Sequence, residues 1–153
     1  MWGYFHRLSA VGTLVERSSR FVLLAQMDNC TSLAALHGFT RLLQTVAPAM
    51  RKTMTYDRGS EMARHRDLAA SNGIQVYFAD PYSPWQRGSN ENANGLIREY
   101  LPKGSDLSGT SQDELNAIAN RLNDRPRRIL NYQTPREVFA KLLAEEQLNT
   151  LIT

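Results

Sequence analysis

The spacing of apolar positions divides the chain into alternating strands and helices. Gly12-Thr-Leu-Val-Glu16 reads as a short strand, and the polar run Arg17-Ser-Ser-Arg20 as a hairpin connection. Phe21-Val-Leu-Leu-Ala25 is an unbroken apolar run, the pattern of a strand covered on both faces. From about Ser32, whose hydroxyl suits a cap, Leu33, Leu36, Leu43 and Val46 fall on one helical stripe that Pro48 ends. Lys52 to Asp57 is strand-like and runs into Arg58-Gly59. Arg64 to Ser71 is helical and stops at Asn72-Gly73. Ile74, Val76 and Phe78 then alternate with Gln75 and Tyr77, as in a half-buried strand.

Pro81-Tyr-Ser-Pro-Trp-Gln-Arg-Gly88 has loop composition, and a helix is predicted from Ser89 or Asn90. Within it Ala93, Leu96, Ile97 and Tyr100 make the buried stripe, leaving Glu91, Asn94, Gly95 and Arg98 on the opposite face. The character changes after Pro102-Lys-Gly104. Ser111-Gln-Asp-Glu114 is a capping box ahead of Leu115, Ile118 and Leu122, and Pro126 breaks that helix. Thr134-Pro135 opens another, carrying Val138, Phe139, Leu142 and Leu143. The order predicts an α/β layer fold that starts on an antiparallel hairpin, with residues 1–103 as the core and 104–153 as a helical extension packed on it.

Composition narrows the class. With 153 residues, 42% apolar and 22% charged, the chain suits one globular domain. No apolar stretch is long enough to span a bilayer, so no membrane association is expected. Met1 to Ala10 mixes Trp2, Tyr4 and Phe5 with Gly3, His6 and Arg7, which is not the apolar core of a signal segment. Cys30 is the single cysteine, which excludes an intrachain disulfide and leads to an expected cytoplasmic location. His6, His37 and His65 lack the spacing of a zinc site. The net charge is only +3, but 15 of the 18 cations are arginines. Such a surface leans toward phosphate recognition, though the base composition of a gene produces the same bias.

Two acids stand out by position. Asp57 ends a strand before a glycine-containing turn, which sets it at the carboxyl edge of a sheet, where ligands of open α/β folds bind. A turn or cap role is the plainer reading of Asp57 alone. Glu91, in the first turn of its helix, is not needed for the core and reads alone as solvated surface. A strand-end aspartate, a helix, a strand, a Pro/Trp/Arg loop and a helix with an early glutamate together form the layout of a polynucleotidyl transferase. Its hard oxygen donors suit Mg²⁺ or Mn²⁺, with two ions roughly 3.5–4 Å apart on the attacking and leaving oxygens.

Met54-Thr-Tyr-Asp-Arg-Gly-Ser-Glu-Met62 and Gly73-Ile-Gln-Val-Tyr-Phe-Ala-Asp-Pro-Tyr-Ser-Pro-Trp-Gln-Arg-Gly-Ser-Asn-Glu-Asn92 resemble the bacterial insertion-element transposases of the IS-thirty family. Gly12-Thr-Leu-Val-Glu-Arg17, Arg20-Phe-Val-Leu-Leu24, Asn123-Asp-Arg-Pro-Arg-Arg128 and Thr134-Pro-Arg-Glu-Val-Phe139 extend the resemblance over residues 10–143. It implies a ribonuclease-H-like integrase core with an Asp, Asp, Glu triad and two divalent metals. Asp57 and Glu91, with 33 residues between them, fall on the second and third acids. Arg98 falls where related integrases place a base that contacts the DNA end. Arg58, Arg87 and Trp85 flank the acids, and Arg125, Arg127 and Arg128 supply a basic segment beyond the core. These complete the expected DNA-contacting set, with Trp85 either stacking on a base or packing its loop.

One departure matters. The family's first aspartate lies on the strand before the Gly12 hairpin, and no aspartate precedes Asp28. The expectation is therefore a core lacking its first strand, a fragment without the family's helix-turn-helix region, with an incomplete two-metal site. The expected function is transposition by phosphodiester hydrolysis and strand transfer on transposon-end and target DNA, with this fragment inactive alone. Association with itself or with intact transposase is expected through the uncovered Gly12–Glu16 edge. A non-catalytic DNA- or subunit-binding remnant, and a nuclease of the same fold, are the rival readings.

Overall fold

A computed structural model describes residues 2–8, 11–27, 32–56, 64–78, 88–102, 104, 106–107 and 109–152. Five strands, β1 (Trp2–Leu8), β2 (Val11–Glu16), β3 (Val22–Gln26), β4 (Thr53–Tyr56) and β5 (Gln75–Phe78), form one sheet in the order β3-β2-β1-β4-β5. The first three are antiparallel, whereas β4 runs parallel to β1 and β5 parallel to β4. Helices α1 (Ser32–Gln44), α2 (His65–Asn72), α3 (Gly88–Ile97), α4 (Gln112–Asn123) and α5 (Pro135–Ile152) complete the chain.

The expected absence of a first strand is overturned. Residues 2–8 occupy the middle of the sheet, with Tyr4 opposite Leu14 on β2 and Gly3 opposite Thr55 on β4. The β2 edge, expected to be bare, is thus covered on both sides. Aromatic and polar residues do not alternate regularly over Trp2–Leu8, so neither strand nor helix periodicity marks it. Its conformation is imposed by the hairpin ladder to β2 and by the ladder to β4, far along the chain, a tertiary effect that outweighs local pattern.

The side-chain alternation of β2 and β3 divides the core in two. Leu14, Ala25 and Met27 join Phe39, Leu42, Leu43 and Val46 of the α1 segment, with Met54, Leu68 and Ile74, on one face. Val11, Val15, Val22 and Leu24 pack on the other against Ala93, Ile97, Leu101, Leu107, Leu115, Ala119 and Leu122. Each strand residue therefore serves the face dictated by a period of two. The buried stripe of α1 runs through Phe39 and Leu43 and continues to Val46 just beyond the helix, while Leu33, expected on it, is 45% exposed. A Cβ on Gly12 would lie 2.8 Å from the Phe39 ring, so the missing side chain is what lets α1 approach β2 this closely.

Several local signals act as their chemistry predicts. Gly73 closes α2 in the left-handed conformation (φ 61°), and its N–H bonds the Ala69 carbonyl. Ser111 caps α4 by accepting from the Glu114 N–H at 3.2 Å. Thr134 and Glu137 form a reciprocal box at the start of α5: the Thr134 hydroxyl accepts from the Glu137 N–H, and the Glu137 carboxylate accepts from the Thr134 N–H. The boundary expected at residue 103 runs through the second core cluster, because Leu115, Ala119 and Leu122 of α4 are buried in it. By contrast α5 lies toward the outside, held partly by Phe139 stacked on Phe21 with ring centroids 4.5 Å apart. Among the described residues no helix is long and apolar enough to cross a membrane.

Candidate active site and DNA-facing arginines

The sheet order brings together the elements that carry the two candidate acids. β4 lies beside β1 and parallel to it, and the next residue after its last, Tyr56, is Asp57. On the far face α3, which contains Glu91, packs on β1 and β2, with Ala93 and Ile97 in one core cluster with Val11 and Val15 of β2. Asp57, Arg58, Trp85 and Arg87 lie outside the described residues, as do Asp28, Cys30 and the loop 81–87. The backbone of Glu91 is described within α3; its carboxylate is not. The expected stripe on α3 is confirmed, since Ala93 and Ile97 are buried and Leu96 and Tyr100 pack beside them. Arg98 follows in the turn after α3, half-exposed, its N–H bonded to the Asn94 carbonyl at 3.0 Å.

Glu16 is the only acid near the position expected for the first member of a triad, and its carboxylate is already committed. It is buried at the end of β2, where it accepts from the Ser19 hydroxyl, the Ser19 N–H at 2.7 Å and the Ser18 N–H at 3.2 Å. Burial pushes its pKa upward, yet these hydrogen bonds outweigh burial and hold it below the ordinary carboxylate value. The group braces the β2–β3 turn. Among the described residues no three His, Cys, Asp or Glu side chains gather as a metal site.

The arginines from the last turn of α4 onward are not equally available. Arg125 pairs with Glu99 at 3.2 Å, and Arg136 grips Asp124 at 2.6 Å and Asn120 at 2.9 Å. Arg121 lies over the Tyr100 ring, 6.0 Å from its centroid. Arg127 is half-buried and donates to the Leu122 carbonyl. Burial first, then the like charges of Arg125 and Arg20, lower its pKa. Arg128 is exposed, as are its neighbours Ile129 and Tyr132. Sequence reading missed the last two because an isolated Ile or Tyr in a loop carries no periodic signal. It also missed the partners of Arg125 and Arg136, which only the folded chain brings near.

Residues 2–84 match the integrase core domain family. Over 136 residues the chain is 59% identical to the transposase of insertion element IS1086 from Cupriavidus metallidurans, covering 89% of this chain and 40% of that protein. It is 43% identical, over the same share of the chain and 36% of the relative, to the InsI transposase of element IS30A from Escherichia coli. The chain thus spans about 40% or less of the length of these curated relatives. In fold it matches the catalytic core domain of BIV integrase, with a TM-score of 0.74 and 19% identity over 95% of this chain and 97% of that one. The central β1–β4 pair, the flanking helices and these matches together show that the chain belongs to the integrase core domain family, alongside insertion-element transposases of the IS30 type.

Proposed function

We propose that the chain is the catalytic core of an insertion-element transposase, built for phosphodiester hydrolysis and strand transfer on DNA. The observation that carries this reading is the β3-β2-β1-β4-β5 sheet, with Asp57 directly after β4 and the Glu91 helix across β1 and β2. Asp57 and Glu91 are the carboxylates proposed to hold a divalent ion, Mg²⁺ or Mn²⁺, which supplies Lewis-acid stabilisation to a phosphate oxygen. Arg98, Arg58, Arg87 and Trp85 are the proposed DNA contacts around them. Transposon-end and target DNA are the proposed substrates, and a second copy or an intact transposase is the proposed partner.

The donor set limits the chemistry. Mg²⁺ is commonly held by one or two carboxylates together with substrate phosphate, and two acids meet that need. The strand beside β4 reads Trp-Gly-Tyr-Phe-His-Arg-Leu and offers no carboxylate. Glu16 is spent on its turn. These residues therefore fit one ion and not a bridged pair, so no two-ion step is assigned to them. This favours the second reading as well, a DNA-binding chain that is weak or silent in catalysis.

A strand-transfer assay on duplexes carrying the element's terminal repeats, in Mg²⁺ or Mn²⁺, separates the two. The expected result is DNA binding without nicking or joining. A chimera whose β1 is replaced by an aspartate-bearing first strand of the family recovers nicking, and Asp57→Asn removes it again. Joining by the chain as it stands, lost in Asp57→Asn, overturns the ligand count.

A further inference from the structure

The connection between α4 and α5 is a small rigid knob. Its backbone is closed on itself: the N–H groups of Leu130 and Tyr132 bond the Arg127 carbonyl at 3.0 and 2.8 Å, Asn131 bonds Arg128, and Gln133 bonds Leu130. The Arg127 N–H returns to the Gln133 carbonyl at 3.0 Å and ties the base of the loop. Arg136, bonded to Asp124 and Asn120, fixes the α5 side to α4.

Two successive residues in this knob have left-handed backbone, Asn131 (φ 54°) and Tyr132 (φ 64°). Asparagine tolerates that region, whereas tyrosine is disfavoured there by its Cβ. The strain does not seat the side chain in the core, since Tyr132 is 72% exposed and Ile129, three residues before it, is 66% exposed. The fold holds an aromatic ring in water at a conformational cost, and such outliers gather where a ligand is gripped.

The surroundings say which ligand. Arg128, next to Ile129 in the chain, is exposed, and Arg125 and Arg20 are near enough for their charges to act on Arg127. The two carboxylates nearby, Glu99 and Asp124, are each engaged by an arginine. An aromatic face and a branched aliphatic chain beside guanidinium groups suit an unstacked base and its phosphate.

We propose that Tyr132 stacks on an unpaired base at a frayed or single-stranded DNA end, with Ile129 against its edge and Arg128 on the adjoining phosphate. This rests on the DNA-acting reading above and adds a grip on the strand end away from the two acids in the chain.

Fluorescence anisotropy with a duplex bearing a short single-stranded extension, and with its blunt counterpart, tests the proposal. The full chain is expected to prefer the extended duplex. Tyr132→Gly should lower affinity for it about tenfold and erase the preference, while thermal stability holds or rises as backbone strain is relieved. Tyr132→Phe should retain the preference, and Tyr132→Asn should lose it without unfolding. Equal binding of both duplexes by the chain and by Tyr132→Gly overturns the knob while leaving the DNA reading intact. A change in sedimentation on Tyr132→Gly, with DNA binding unaltered, overturns it in favour of a protein contact. No binding to either duplex by the unsubstituted chain overturns the DNA reading itself.

Discussion

Glu16 is a carboxylate in a buried place, and Ser18 and Ser19 of the turn that follows β2 donate to it. Because its folded pKa is lowered, the stabilisation it confers is fully present above its ordinary titration range and is lost as pH falls through the lower, folded value. Thermal melts across the acid range should therefore show the unsubstituted chain losing stability faster than Glu16→Gln, with Glu16→Gln the less stable of the two near neutrality. Parallel acid profiles would mean that the carboxylate does not titrate with folding. The same hydrogen bonds set this carboxylate apart from the metal ligands proposed above. Sequence shows only that Glu16 lies on the hairpin; that Ser18 and Ser19 turn three donors onto it is a property of the folded turn.

At the scale of elements, α4 seals the sheet edge formed by β3. Asn123, itself buried, accepts from the Val22 N–H at 2.8 Å and donates to the Val22 carbonyl at 2.9 Å, so one side chain stands in for a neighbouring strand. Gln112, at the other end of α4, accepts from the Gln26 N–H and donates to the Leu24 carbonyl, both at 2.8 Å. The helix therefore covers an edge that would otherwise offer unpaired backbone to another chain. Asn123→Ala should cost about 2–4 kcal/mol in urea unfolding, because two backbone groups lose their partner. Asn123→Leu, which restores volume but no hydrogen bonds, should cost nearly as much; full recovery by leucine would assign the loss to a cavity. The elements themselves were largely legible, since β2, β3, α2 and α4 carry clean periodicity or caps. β1 was not, because its place depends on a long-range ladder to β4 as well as on the hairpin to β2, and the amide seal on β3 pairs residues 86 to 101 positions apart.

For the whole molecule, the proposed DNA substrate raises the question of how a net charge of only +3 would serve a polyanion. The motif around Asp57 and Glu91 was readable because its residues are close in sequence and of unusual type, whereas the working state of each arginine depends on neighbours supplied by the fold. Arg125 would have to release Glu99 to reach a phosphate, and the freed carboxylate would then oppose the proposed DNA. Arg127 is half-buried and bonded to a backbone carbonyl. Arg128 is exposed and carries neither restraint in the described contacts. Arg128→Ala should therefore reduce the slope of log affinity against log salt by about 0.9 if it touches duplex phosphate. Arg125→Ala should change it by clearly less, and Glu99→Gln should raise affinity by freeing Arg125. Anisotropy titrations over a range of salt concentrations supply all three values. Equal slopes for Arg125→Ala and Arg128→Ala would show that Glu99 does not compete with phosphate. An unchanged slope in both would make these arginines an intramolecular brace between α3, α4 and the loop to α5, leaving DNA to be held by the basic residues around the two acids.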